Sequence, residues 1–256
     1  MVSVIVPFWN AEKWLDRCCE SLHKQNSEAE FILVDDHSED NGIKIAHDYC
    51  SIDQRFTLLH NHNLRGVGGA RNTGIEYASG NYITFLDADD EMLPNAIKIY
   101  DTLNEANIYQ ANHLRHYAKI NKTARKYTNN TGWYDINNMP TLWCYVWNKL
   151  YKSEFIKDIR FNETMAYGED ELFNLECLAK DKRIYCIETD TVIRHFENDN
   201  SLSKAKSRDD LFKQAKELTN FLYRNKDTEI NTFVCRLLSN HWGSPTYLKG
   251  IPPVKR

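Results

Sequence analysis

The stretch ITFLDADDEMLPNAI, residues 83 to 97, decides how the chain is read. The apolar run Ile83 to Leu86 reads as a buried strand, and it leads straight into Asp87, Asp89 and Asp90, with Glu91 next. Carboxylates this close resist ionisation beside one another, so a positive group is expected among them. Strand side chains repeat every two residues, so Asp87 and Asp89 point the same way. Oxygen donors so arranged suit a hard divalent cation, Mn²⁺ or Mg²⁺. A solvated turn ahead of Pro94 would use the same residues. That proline fits the first position of a helix over NAIKIYDTLNEA.

Upstream the chain alternates. SVIVPF, FILVDD, FTLLHN and NYITFLD read as buried strands. Between them lie three helices: AEKWLDRCCESLHKQ, capped by Asn10; GIKIAHDYC, capped by Ser38; and GGARNTGIEYAS, opened by glycines. This alternation predicts an α/β fold with a mostly parallel central sheet and helices on both faces. In such sheets ligands bind beyond the carboxyl ends of the strands, near the topological switch point. Asp35–Asp36 and Asp87–Asp89 therefore face one rim.

After about residue 105 the rhythm changes. Residues 108 to 139 read as strands and loops flanking the sheet. The aromatic run LWCYVWNKLYKSEFI follows. In YGEDELFNLECLAKD, Phe173, Leu175, Cys177 and Leu178 are spaced for a helix with Gly168, Glu169 and Asp170 at its start. RIYCIE and TVIRHF read as two short strands, and residues 208 to 240 as two amphipathic helices.

Composition narrows the partners. Of 256 residues, 32 are basic and 36 acidic, a net charge of -4 that gives no global attraction to nucleic acid or an anionic membrane. The seven cysteines are an odd number without a CxxC pair, as expected of free thiols in a reducing, cytoplasmic setting. No run approaches the ~18 apolar residues that span a bilayer. MVSVIVPFWN lacks a basic leader, and the Asn-x-Thr triplets at Asn121, Asn129 and Asn162 are then without glycans.

Four blocks form an ordered set: VSVIVPFWNAEKWL, VDDHSED, GVGGARNTGIEYASGNYITFLDADD and GEDELF. With them the chain resembles glycosyltransferase family 2 from Val2 to about Ser203. The resemblance implies a GT-A fold and inverting transfer from a nucleotide sugar, with UDP the favoured nucleotide. It implies a catalytic domain over residues 1–205, with a nucleotide-sugar half (1–105) and an acceptor half (106–205). A small helical extension covers 206–256. Pro7, Phe8 and Asn10 would lie against the nucleotide, with Asp36 on the uracil ring. Arg71, its competitor Arg65, and Asn72 would serve the diphosphate region. Asp87 and Ala88 would touch the donor. Asp87 and Asp89 would hold the metal, with His195 as a third ligand or phosphate contact and Arg194, Ser201 and Lys204 on a closing loop. Asp170 would be the base that deprotonates the acceptor hydroxyl, with Glu169 orienting it. Acidic residues in a first helical turn are also favoured by the dipole alone. Where the family commonly has glycine, this chain has His37. Trp143 and Trp147 would stack on a sugar or fill the core.

The implied acceptor is a bacterial surface polysaccharide or glycolipid. A modified nucleic-acid base or a protein side chain is the alternative, with Lys119, Lys122, Arg125 and Lys126 as its basic stretch. A lipid-linked acceptor would call for peripheral docking. Two rivals stand beside this reading. One is a nucleotide-binding module that has lost catalysis, against which the complete set of carboxylates argues. The other is a nucleotidyltransferase, against which GEDELF and the glycine-free VPFWNAEKW argue.

Overall fold

The computed structural model describes residues 1–125, 130–138, 145–196 and 207–242. Trp143, Lys126, Ser201 and Lys204 lie outside them. The first half runs β1 (Val2–Phe8), α1 (Leu15–His23), β2 (Ala29–Asp35), α2 (Gly42–Ile52), β3 (Phe56–His60), α3 (Val67–Tyr77) and β4 (Tyr82–Phe85). The second half runs β5 (Glu91–Met92), α4 (Ala96–Tyr100), β6 (Ile108–Tyr117), β7 (Lys122–Arg125), β8 (Gly132–Asp135), β9 (Lys149–Lys152), α5 (Ser153–Ile156), α6 (Glu169–Lys180), β10 (Arg183–His195), α7 (Arg208–Arg224) and α8 (Thr228–Trp242).

These strands form one sheet in the order β3-β2-β1-β4-β9-β6-β10-β5, with β7 on β6 and β8 on β10. Pairing is parallel across β3, β2, β1 and β4. Beyond β4 it is mixed: β9 is antiparallel to both β4 and β6, β10 is parallel to β6, and β5 is antiparallel to β10. The parallel sheet expected from the alternation is the run β3-β2-β1-β4, and the strands beyond it are mixed. Within that run β2, β3 and β4 are each reached through a helix, the crossover that parallel pairing requires.

Alternation along β1 divides the interior into two layers. Val2, Val4, Val6 and Phe8 pack with α1 and α2 through Leu15, Cys18, Leu22 and Ala46. Ile5 packs on the opposite face with Ala70 and Ile75 of α3 and Leu172 and Phe173 of α6. Leu218 and Phe221 of α7 and Ile230, Phe233 and Val234 of α8 belong to that second layer. The helices read as an extension therefore share one core layer with β1, α3 and α6. Gly74 sets how closely α3 lies on β1, because a Cβ there would come within 2.4 Å of Ile5 Cγ2.

Several local expectations are corrected. Asn10 does not cap α1; its backbone has φ 48° and its side-chain oxygen accepts the Glu39 N–H at 2.8 Å. Ser38 does not cap α2; its hydroxyl accepts the Asn10 N–H at 3.1 Å. Both loops rise on the same rim and satisfy each other's donors before either helix begins. Pro94 stands outside α4, which is capped by Asn95 at φ 64° and spans five residues. RIYCIE and TVIRHF are one bulged strand, whose register against β6 shifts between Ile187 and Val192. Residues 108–117 lie inside the sheet between β9 and β10, not beside it.

Candidate functional site: a carboxylate rim around Arg71

β1 is hydrogen-bonded to β2 on one side and β4 on the other, so the order reverses at β1 and the crevice opens at its carboxyl end. β4 delivers Leu86 and the turn Asp87–Asp90, closed by the Asp90 N–H on the Asp87 carbonyl at 3.0 Å. From the opposite side α6 brings its first turn, preceded by Gly168 at φ 80°. A Cβ on Gly168 would meet Gln214 Nε2 of α7 at 2.4 Å, and that nitrogen donates to Glu171 at 2.9 Å. The C-terminal helices thus buttress the turn that carries the proposed base.

Arg71 of α3 joins the two sides. Its guanidinium is buried and donates to Asp87 at 3.0 Å, Glu169 at 2.9 Å and Asp170 at 2.5 Å. Its Cζ lies 5.2 Å from the centre of the Phe161 ring. One cation holding three carboxylates in a dry site is a fixed frame. Burial pushes Asp170 well above the usual carboxylate range, with Glu169 and Asp87 adding to it and Arg71 pulling it back. A base so raised accepts a proton more readily near neutrality.

The acidic turn is a different environment. One oxygen from each of Asp87, Asp89 and Asp90 lies within 4.8 Å of the others. Burial and then Asp87 push Asp89 up to about 6. Burial, then Asp89 and Asp87, push Asp90 well above its usual value. An all-oxygen donor set gathered this closely fits Mg²⁺ or Mn²⁺, which would bind the ionised carboxylates. The third carboxylate is Asp90, where the sequence reading had His195. His195 is held elsewhere: its Nε2 lies 2.7 Å from Glu91, its ring lies 5.1 Å from that of His116, and its backbone N–H donates to Asp90 at 2.8 Å. The doubled DD already holds Asp90 in sequence, but Asp-x-Asp periodicity does not show that the turn brings it beside Asp87 and Asp89.

On the nucleotide side, Pro7 and Phe8 end β1, and the Phe8 carbonyl accepts the Asp36 N–H at 2.8 Å. The Asp36 carboxylate is already engaged, by Asn61 Nδ2 at 2.7 Å and the Gly66 N–H at 2.9 Å. It shapes the loop before α3 that carries Arg65. Arg65 lies over the exposed Trp9 ring at 5.5 Å, away from the carboxylates. Asn72 is corrected most clearly: its amide donates to the Phe161 carbonyl and to Glu163 and accepts the Phe161 N–H. It fixes the segment that places Phe161 on Arg71, a long-range role with no local signal. Ala88 is buried in the turn between Asp87 and Asp89. Trp147 is buried, so it fills the core as one of the two readings had it.

A chain from Bacillus subtilis, "Uncharacterized glycosyltransferase EpsJ", is 30% identical over 98% of this chain and 81% of its own length. The Escherichia coli "UDP-Glc:alpha-D-GlcNAc-diphosphoundecaprenol beta-1,3-glucosyltransferase WfgD" is 38% identical over 39% of each chain. The crystal structure of Staphylococcus aureus TarS 1–349 in complex with UDP-GlcNAc superposes with a TM-score of 0.81 at 21% identity, covering 99% of this chain and 76% of that one. That likeness establishes the GT-A fold. The family model "Glycosyl transferase family 2" matches residues 3–176, from β1 through the acid-bearing turn into α6, and the chain belongs to that family of glycosyltransferases.

Proposed function

We propose that the chain moves a sugar from a nucleotide diphosphate, UDP first among them, to an acceptor hydroxyl with inversion at the anomeric carbon. The observation that carries this reading is the Arg71 frame, which ties Asp87 at the donor side to Asp170 at the acceptor side through a single guanidinium. Asp87, Asp89 and Asp90 would hold Mn²⁺ or Mg²⁺, which supplies positive charge to the departing diphosphate. Asp170 takes the proton of the acceptor hydroxyl while that oxygen bonds to the anomeric carbon. The bond from that carbon to the diphosphate breaks on the opposite face, its electron pair leaving with the nucleotide. Glu169 and Arg71 keep Asp170 oriented. A lipid-linked or polysaccharide acceptor is favoured by the acceptor named in the relative WfgD. No described helix is long and apolar enough to cross a membrane, so such an acceptor would be met at the membrane surface.

The test is nucleotide release from UDP-, GDP- and dTDP-sugars with Mn²⁺ or Mg²⁺, then with EDTA. Release from one donor that stops with EDTA supports the assignment. Failure of every donor to bind in the presence of metal leaves the carboxylate rim as a module without catalysis.

A further inference from the structure

α7 lies outside the residues matched by the family model, which end at position 176 inside α6. It nevertheless reaches the turn that carries the proposed base. Leu218 and Phe221 of α7 share an apolar layer with Leu172 and Phe173 of α6. Two polar contacts join the same helices. Toward the start of α6, Gln214 Nε2 donates to Glu171 at 2.9 Å. Further along, Arg224 pairs with Glu176 at the exposed edge.

Gln214 meets the turn at two points. The first is Gly168, which opens α6 at φ 80°. A Cβ there would lie 2.6 Å from Gln214 Cδ and 2.7 Å from its Cγ, so the amide rests directly on the glycine. The second is Glu171, which is buried. Glu169, Asp170 and Glu171 follow one another in a single helical turn, so their side chains leave the axis about 100° apart. Arg71 of α3 holds the first two, and Gln214 of α7 holds the third. The turn is gripped from two elements, and rotation about the helix axis breaks one hold or the other.

Packing alone does not account for Gln214. It is buried, and its Oε1 has no hydrogen-bond partner among the described residues. A buried acceptor left unpaired carries a free-energy cost that an apolar side chain of the same length avoids. What the glutamine adds over such a side chain is an N–H aimed at Glu171.

We infer that Gln214 is a positioning residue: it fixes the first turn of α6 from a second side and so holds Asp170 against the acceptor hydroxyl. α7 is then part of the catalytic apparatus, although it lies beyond the matched residues. This rests on the transferase reading above.

Gln214→Met keeps the length of the side chain and removes the donor. Arg224→Gln removes the other polar contact between the same helices and is the control. Both are compared with wild type as full chains, with Mn²⁺, the sugar donor that wild type turns over, and water as acceptor. Gln214→Met is expected to lower nucleotide release at saturating donor about tenfold or more, with KM for the donor within about twofold. Arg224→Gln should leave both within about twofold. Amide hydrogen exchange reads the turn without any substrate. The Leu172 N–H, which donates to the Gly168 carbonyl at 3.1 Å, should exchange about tenfold faster in Gln214→Met and at the wild-type rate in Arg224→Gln. The urea midpoint reports folding, and Gln214→Asn, whose amide falls one methylene short of Glu171, takes the place of Gln214→Met if that variant does not fold. The proposal is overturned by an unchanged kcat in the Gln214 variant, or by equal losses in the Gln214 and Arg224 variants. Wild type that turns over no donor fails the transferase reading instead, and exchange at Leu172 then decides alone whether Gln214 fixes the turn.

Discussion

Two sets of carboxylates share one rim and are balanced in opposite ways. Asp87, Glu169 and Asp170 converge on Arg71, so the fold supplies their counter-charge. Among the described residues no guanidinium converges on Asp89 and Asp90 in the same way: Arg17 donates to the backbone carbonyl of Asp89 at 2.7 Å, Asp90 accepts a backbone N–H, and the charge of Arg194 only partly offsets the burial of both. The first set is complete in the folded chain. The second holds raised pKa values, and in the proposed function a bound cation would complete it. Asp87 belongs to both, so the acidic turn and the start of α6 are linked through it. The lesson is that counter-charge, more than carboxylate count, separates a framework from a binding site.

The largest effect expected is that of Asp170→Asn. It keeps the shape and the contact with Arg71 but removes the proton acceptor. Transfer should fall by about 10²- to 10⁴-fold, with donor affinity little changed. Rates of nucleotide release with and without acceptor measure this. An unchanged rate would move the base elsewhere on the rim.

Arg71→Met attacks the completed set. It leaves Glu169 and Asp170 in a dry site without their cation, and removing one partner of a buried ion pair costs about 3–5 kcal/mol. Denaturant titration should show the loss, and it should ease at low pH, where the carboxylates protonate. Arg71→Lys should keep the fold and shift the acidic limb of the pH–rate profile upward, because a weaker cation no longer holds Asp170 down.

Asp89 sharpens the contrast with the second set. Its folded pKa of about 6 lies above its unfolded value. Between those values the native state binds more protons than the unfolded one, so stability falls as pH rises. In EDTA the protein should therefore melt at a lower temperature at pH 7.5 than at pH 5.5. Mn²⁺ should reverse that order, because a bound cation needs the ionised form. Asp89→Asn should melt higher than wild type in EDTA at pH 7.5 and lose the response to Mn²⁺. A metal response that survives would place the ion on other ligands.

The difference between the two sets also explains what the sequence could and could not disclose. Asp87 and Asp89 are visible because a short apolar run fixes where a strand ends. Glu169 and Asp170 are visible because apolar spacing fixes where α6 starts. What joins them is not local. Arg71 and Asp170 are ninety-nine positions apart, and nothing in GGARNTG says which carboxylates its arginine will meet. Asn72 looked like part of the site because it adjoins Arg71, yet one step along a helix turned it toward Phe161. The mixed half of the sheet was equally hidden: residues 108 to 117 carry Gln110, Asn112, His113 and Arg115 among apolar residues, and buried polar groups that pair across strands read as surface when the partner strand is unknown. Periodicity reports which face a residue takes, and only packing reports what it faces.

The smallest effect concerns the turn after β2, where His37 stands at φ 64° in the left-handed region. The turn is already fixed by others: Asp35 Oδ1 accepts the Ser38 N–H at 3.0 Å, and Ser38 in turn accepts from Asn10. A residue with a Cβ pays a steric cost in that conformation, which glycine avoids. Glycine also has more freedom to lose on folding, by roughly 0.5–1 kcal/mol relative to alanine. The two terms oppose each other, and the first is larger because the neighbouring bonds dictate the backbone. His37→Gly should therefore raise stability by about 0.5–1 kcal/mol, read from the urea midpoint at constant slope. A decrease would mean that the imidazole, through a contact at the mouth of the nucleotide side, stabilises the turn by more than its backbone conformation costs.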